Sequence, residues 1–408
     1  DLFSALKLRA GYGIIGNEAS VPDYQYAAYL NQYTTYVIGN QLPPASIQTQ
    51  LASEDIHWEE KTTMSVGLDA AILANSIEFS VDYYYNEATD LLLQLPLPLS
   101  NGSNSNPYQN AASMSNKGFE FYASYKKRSG DLFYGINANL TTLTNKVLKL
   151  GRLDVPINTW MSNTEVGKPV GEIYGWDMTG IFQTQQEIDT SALQTARPGD
   201  VKFRDVNGRD AEGNLTGAPD GQIDDDDRIY LGSALPKVTG GMNINLEYKG
   251  FDLSIFIYGA YGHKIVNGLY QVMNEMKYGN YSVESYENYW RLIDPEQPEL
   301  GGTTNKYPRP TVNNPNNNTR MSQRFLQDGS FTKIQNIQLG YNFRSSTLSR
   351  IPGISNLRVY ISAQNLFTIT KYKGFDPDIG NDGLFYRGLD YGSFPSPRTL
   401  LAGVKITL

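Results

Sequence analysis

The chain has 408 residues, no cysteine, two histidines (His57 and His263) and a net charge of -8. Lack of cysteine excludes disulfides, thiolate metal sites and cysteine nucleophiles, and the acidic balance argues against a general nucleic-acid binder. Abundant glycine (38) and tyrosine (29) suit strands with many turns and aromatic belts. The sequence opens on Asp1 straight into a strand pattern, without a signal peptide, so it reads as a fragment or processed piece of something longer. No run approaches the ~18 apolar residues of a membrane helix. The richest, Leu91 to Leu99, is broken by Gln94, Pro96 and Pro98.

In chain order, residues alternate between apolar and polar in ten segments: 3–13, 63–73, 76–86, 117–126, 131–141, 241–249, 251–261, 331–343, 357–367 and 400–408. That two-residue period marks strands with two unlike faces. In 76–86, Ile77, Phe79, Val81, Tyr83 and Tyr85 oppose Glu78, Ser80, Asp82, Tyr84 and Asn86. Most segments have the ~9–11 residues of a tilted membrane strand. A soluble sandwich would alternate too, but the connections separate the two readings. The long ones (14–62, 87–116, 142–240, 262–330, 368–399) alternate with short ones (74–75, 127–130, Gly250, 344–356). Long loops at one end and short turns at the other describe an outer-membrane barrel. If 3–13 runs outward, 400–408 runs inward and the chain ends in the periplasm.

The polar face carries Lys7, Arg9, Asp69, Glu78, Asp82, Glu120, Lys126, Glu247, Asp252, Arg358 and Lys405. A dry core would hold so many charges only in pairs, whereas a water-filled or plugged lumen accepts them. The apolar face is therefore expected to meet outer-membrane lipid. The expected fold is all-β, a transmembrane antiparallel β-barrel with long extracellular loops. Ten strands would close a small barrel by themselves.

Several segments resemble the SusC/RagA group of TonB-dependent transporters: LKLRAGYGIIGN (6–17), WEEKTTMSVGLDAAI (58–72), NKGFEF (116–121), PGDVKFRDVNG (198–208), IDDDDRIYLGSALPKVTGG (223–241), YKGFDLSIFIYGAYG (248–262), RFLQDGSFTKIQNIQLGYNF (324–343), LRVYISAQNLFTITKYKGFDPD (357–378) and DYGSFPSPRTLLAGVKITL (390–408). The resemblance implies the last ten strands of a 22-stranded barrel. It implies that 1–408 is the C-terminal portion, with plug domain and TonB box outside this chain. It further implies TonB-energised import of a glycan or peptide together with a SusD-like surface lipoprotein. The implied location is the outer membrane of a Gram-negative, Bacteroidetes-like cell. Leu408 departs from the aromatic residue with which such barrels often end. The alternative is a passive porin or surface adhesion barrel.

Gly11-Tyr-Gly13-Ile-Ile-Gly16 has the spacing of a dinucleotide loop, but Pro22 and the absence of a helical period remove the helix that loop requires. Joining Asp205-Val-Asn207-Gly208 to Asp220-Gly-Gln222-Ile-Asp224-Asp-Asp-Asp227 across 209–219 gives the oxygen-ligand spacing of an EF-hand loop, hence a candidate Ca²⁺ site. Asp205, Asn207, Asp220, Asp224 and Asp227 would supply side chains, and Gln222 its carbonyl. The competing reading is a solvated loop of Asx-turns, or neutralisation by Arg204, Arg209 or Arg228. Trp160, Trp176, Trp290 and Tyr386 fall in long loops as candidate ligand or lid contacts. No Ser/His/acid pattern or selected carboxylate pair indicates an enzyme.

Overall fold

The computed structural model describes residues 3–18, 21, 23–94, 106–192, 195–274, 280–343, 353–379 and 383–407. Leu408, Pro96 to Leu99 and most of the connection 344–356 lie outside the described residues. The chain forms two compact units, residues 1–157 with 164–170 and residues 158–163 with 171–408.

The first unit holds five long strands, each hydrogen-bonded antiparallel to the next: β1 (Phe3–Asn17), β2 (Glu59–Ile72), β3 (Ile77–Gln94), β4 (Tyr108–Ser129) and β5 (Leu132–Thr142). The second holds β6 (Val238–Tyr248), β7 (Phe251–Tyr261), β8 (Phe331–Asn342), β9 (Asn356–Thr370) and β10 (Thr399–Thr407), paired in the same sequential way. All ten expected segments are strands.

One two-residue connection is Lys249–Gly250, with φ of 50° and 95°. Both residues on the positive side is the mark of a two-residue hairpin that matches strand twist. A Cβ on Gly250 would also come 2.7 Å from the Asn342 carbonyl oxygen.

The expected loop 87–116 is corrected to 95–107. β3 and β4 continue pairing from Ala88↔Met114 to Gln94↔Tyr108. Bulges between Ala88 and Leu92, with Asp90 at φ 56°, break the alternation there, and the Leu91–Leu93 run hides it further. A seven-residue strand, Thr144–Leu150, pairs with residues 112–117 of β4, so the connection after β5 is partly ordered sheet.

The connections of the second unit are folded. Glu172–Trp176 pairs with Arg228–Gly232 on one side and with Ser162 and Asn163 on the other. Met178–Ile181 pairs with Val201–Phe203. Lys264–Asn267 lies between Leu326–Asp328 and Leu389–Asp390. These pieces enclose a core of Met161, Ile173, Ala234, Val266 and Met321, against which Leu231, Leu326 and Leu389 pack. Loops of this length stay ordered only when they bury apolar surface of their own.

Candidate functional site

The strand walls have one charged face. In the first unit the register places Lys7 opposite Asp69 and Gly67 opposite Asp82. Arg9 reaches both carboxylates, at 2.7 Å from Asp69 and 2.8 Å from Asp82. Gly67 has no side chain to block Asp82, and a Cβ there would fall on its carboxylate. Lys126 pairs with Glu78 at 2.7 Å. In the second unit Arg358 grips Asp252 through two nitrogens, at 2.5 and 3.0 Å, and Asn342 adds a bond of 2.7 Å to the same carboxylate. These charges are paired and remain partly exposed, as a wet, polar lining requires.

Near the start of β8, Lys333 is 1% exposed, and its ammonium nitrogen faces Asp376 (3.3 Å) and Asp378 (3.0 Å). Asp376 also accepts the Ser396 backbone N–H. One strand-end lysine thus ties down the loop after β9. In the same loop Tyr372 donates to Asp390, whose other oxygen accepts the N–H groups of Gly392 and Ser393.

The acidic segment 205–227 has a defined geometry. Asp205 accepts from the N–H of Gly221 (2.7 Å) and Asp220, and Asn207 from Gly217 (2.7 Å) and Gly208. Asp220 accepts from Gln222 N–H (2.9 Å), and Asp224 from Asp226 N–H (2.8 Å). Asp227, fully buried, takes the N–H groups of Val206, Asn207 and Asp224. Burial pushes the Asp227 carboxyl above its usual value, opposed by those three donors. Among the described residues no three Asp, Glu or His side chains group so as to hold a metal ion. Side-chain oxygens of Asp205, Asn207, Asp220, Asp224 and Asp227 in the proposed calcium set accept backbone N–H groups, the pattern of the Asx-turn alternative. Of the three arginines, Arg209 acts within the acidic segment and the other two outside it. Arg209 forks onto Asp226 at 2.5 and 2.6 Å, Arg204 pairs with Asp177, and Arg228 donates to the Thr159 and Tyr174 carbonyls.

The aromatic candidates separate. Trp290 is 7% exposed, and its N–H donates to Gln183 at 3.2 Å. It packs loops together and presents little to a ligand. Trp176 has two guanidiniums over its ring, Arg228 at 5.2 Å and Arg320 at 5.1 Å, and its N–H donates to the Asp224 carbonyl. Arg320 also covers Phe203 and Arg228 covers Tyr174, both at 4.6 Å. Burial pushes both arginines below their usual pKa. Trp160 and Tyr386 are 40% and 42% exposed and remain available at the surface.

Sequence reading missed several exposed apolar side chains of the loops. Val283, Tyr286, Phe375, Tyr391 and Phe394 are exposed, Phe394 at 90%. Phe375 borders a mainly apolar hollow of about 440 Å³, lined also by Leu269, Tyr270, Met273, Glu284 and Lys373. Beneath, burial pushes the Arg324 pKa down to about 10. The signal in the sequence was the aromatic spacing of the loop after β9, which carries no strand period.

No family model matches the chain. It is similar to the TonB-dependent receptor P3 of Formosa agariphila, 30% identical over 418 residues, covering 98% of this chain and 39% of that receptor. It is similar also to the TonB-dependent receptor SusC of Bacteroides thetaiotaomicron, 27% identical over 420 residues, covering 100% of this chain and 38% of SusC. Its curated relatives are TonB-dependent receptors, SusC among them, and the similarity runs through nearly all of this chain. The chain spans about two fifths of the length of these relatives. Among solved structures it superimposes on the RagAB peptide importer in its closed-closed state with a TM-score of 0.78 and 23% identity, covering 100% of this chain and 41% of that one. That likeness fixes the fold as the antiparallel β-barrel of such transporters.

Proposed function

We propose that this chain is the barrel portion of an outer-membrane importer that takes up a glycan or peptide, energised through TonB and assisted by a SusD-like surface lipoprotein. The observation that carries the reading is the two-faced wall. In the first unit Leu8 stands 74% exposed on one face while Arg9 pairs with Asp69 and Asp82 on the other, and in the second Leu400 stands 79% exposed while Arg358 pairs with Asp252 on the opposite face. An apolar outer face suits lipid and a charged inner face suits a hydrated path. The name of the RagAB relative supports a peptide, and SusC kinship supports a large nutrient handled with a partner. The exposed loop aromatics Tyr286, Phe375 and Phe394 suit the lipoprotein, since aromatic anchors dominate such contacts. Trp160 and Tyr386 are candidate contacts for substrate or lid.

The test is uptake of labelled oligosaccharides and peptides by cells carrying the full-length receptor, with and without functional TonB. Uptake that needs TonB supports the reading. Equal uptake in both backgrounds supports a passive porin instead. Affinity purification from native membranes is expected to bring down a surface lipoprotein, and Phe394→Ser with Phe375→Ser to weaken its recovery.

A further inference from the structure

Two adjoining grooves run along the apolar face of β7 to β10. One, about 520 Å³, is lined by Phe251, Leu339, Tyr341, Val359, Ile361, Ala402 and Val404. The other, about 560 Å³, continues past Leu339, Ile361 and Ala402 to Leu253, Ile337, Ala363 and Leu400. Register explains the depression. Ala402 sits opposite Ile361, and Ala363 opposite Leu400, so each large side chain faces a methyl group across the ladder. Between Val359 and Ala363 the trough extends roughly 13 Å along β9, at about 3.3 Å per residue.

We propose that this trough holds one acyl chain of a phospholipid, whose anionic headgroup meets Lys249 at the hairpin below. The proposal rests on the reading of this wall as lipid-facing and of the short turns as periplasmic. Three observations select the occupant. The trough is continuous with the apolar surface that meets hydrocarbon. It ends at an aromatic band in which Phe251 and Tyr341 lie 4.7 Å apart and Tyr341 and Phe343 5.0 Å, the rings that mark a headgroup boundary. Just beyond, the Lys249 ammonium sits 5.2 Å over the Tyr248 ring at the tip of the β6–β7 turn, where a phosphate would approach. The short-turn end lies in the inner leaflet, so the lipid is a phospholipid and not a lipopolysaccharide. Elsewhere on a barrel wall lipid exchanges freely, whereas a chain seated in a trough gains contacts on both flanks.

The experiment is native mass spectrometry of the full-length receptor, purified from outer membranes in mild detergent and titrated with phosphatidylglycerol or phosphatidylethanolamine. The wild-type protein is expected to retain a discrete single-lipid adduct. Ala363→Leu with Ala402→Leu fills the trough and is expected to lower adduct occupancy by about tenfold, equivalent to ~1.4 kcal/mol. Ala402→Val alone gives a smaller loss and serves if the double variant does not assemble. Lys249→Gln is expected to remove the preference for the anionic lipid, while Val66→Leu on the other unit changes nothing. Heat-modifiable gel migration verifies that each variant is folded. Unchanged adducts in folded, filled variants overturn the proposal, as does selective retention of lipopolysaccharide. A receptor that does not fractionate with the outer membrane overturns the underlying reading instead.

Discussion

In the second unit, strands and connections place their apolar residues in opposite ways. The strands leave theirs on the surface: Ile361, Leu400 and Val404 are each more than half exposed. The connections hide theirs: Phe182, Phe325, Met161, Ile173 and Val266 have essentially no exposure. A chain in water throughout would not separate its hydrophobic residues in this way, because burial stabilises each by about 1.5–3 kcal/mol. The strands have a second apolar solvent, the bilayer, and the loops have only each other. The wall is stabilised by its ladder and by lipid, and the loops by a conventional packed core.

That contrast can be broken at several points, in decreasing order of effect. Phe325→Ala is expected to cost about 3–5 kcal/mol of loop stability, read as faster proteolysis of the loops in intact outer membranes, with barrel migration on gels unchanged. If barrel assembly fails together with the loops, the two regions are not separable. Next, Ile255→Arg on the apolar face of β7 is expected to cost roughly 2–4 kcal/mol in assembly. Its neighbour Ser254→Arg, on the polar face, is expected to assemble nearly normally. Equal damage at both would reverse the face assignment.

A smaller effect is expected at the acidic loop. Asp227→Ala leaves three backbone N–H groups without their acceptor, which costs about 1–3 kcal/mol. Hydrogen exchange of residues 205–227 measures it. The loosening is expected with calcium and with chelator alike, and full rescue by calcium would restore the cation reading. The smallest effect depends on pH. Burial pushes His263 below its ordinary pKa, only partly offset by Asp328 and Asp378. The unfolded segment therefore takes up a proton before the folded one does. Stability around His263 is complete above the unfolded value of about 6.5 and falls as pH drops through it. Exchange at Gly329, whose backbone bonds to His263, is expected to speed up between pH 7.5 and 5, and His263→Phe to flatten that response.

The sequence by itself determined the wall. Period-two alternation needs only neighbouring residues, so Ile77 to Tyr85 announced both faces of β3, and the family motifs added kinship. It determined the order of long and short connections for the same reason. Where a bulge at Asp90 broke the period, β3 ended too early on paper. What only the tertiary structure decided lies in the loops. The spacing of Asp205, Asn207, Asp220, Asp224 and Asp227 is compatible with a cation cage or with backbone capping. Which one forms depends on where Val206, Gly217 and Gly221 point their N–H groups. Trp290 and Trp176 look alike as letters, yet one is sealed beside Gln183 and the other has Arg228 and Arg320 over its ring. Such partners are distant in sequence, and no local period encodes them. Packing and hydrogen-bond geometry settle these choices, because a buried polar group must find whichever partner the fold brings near.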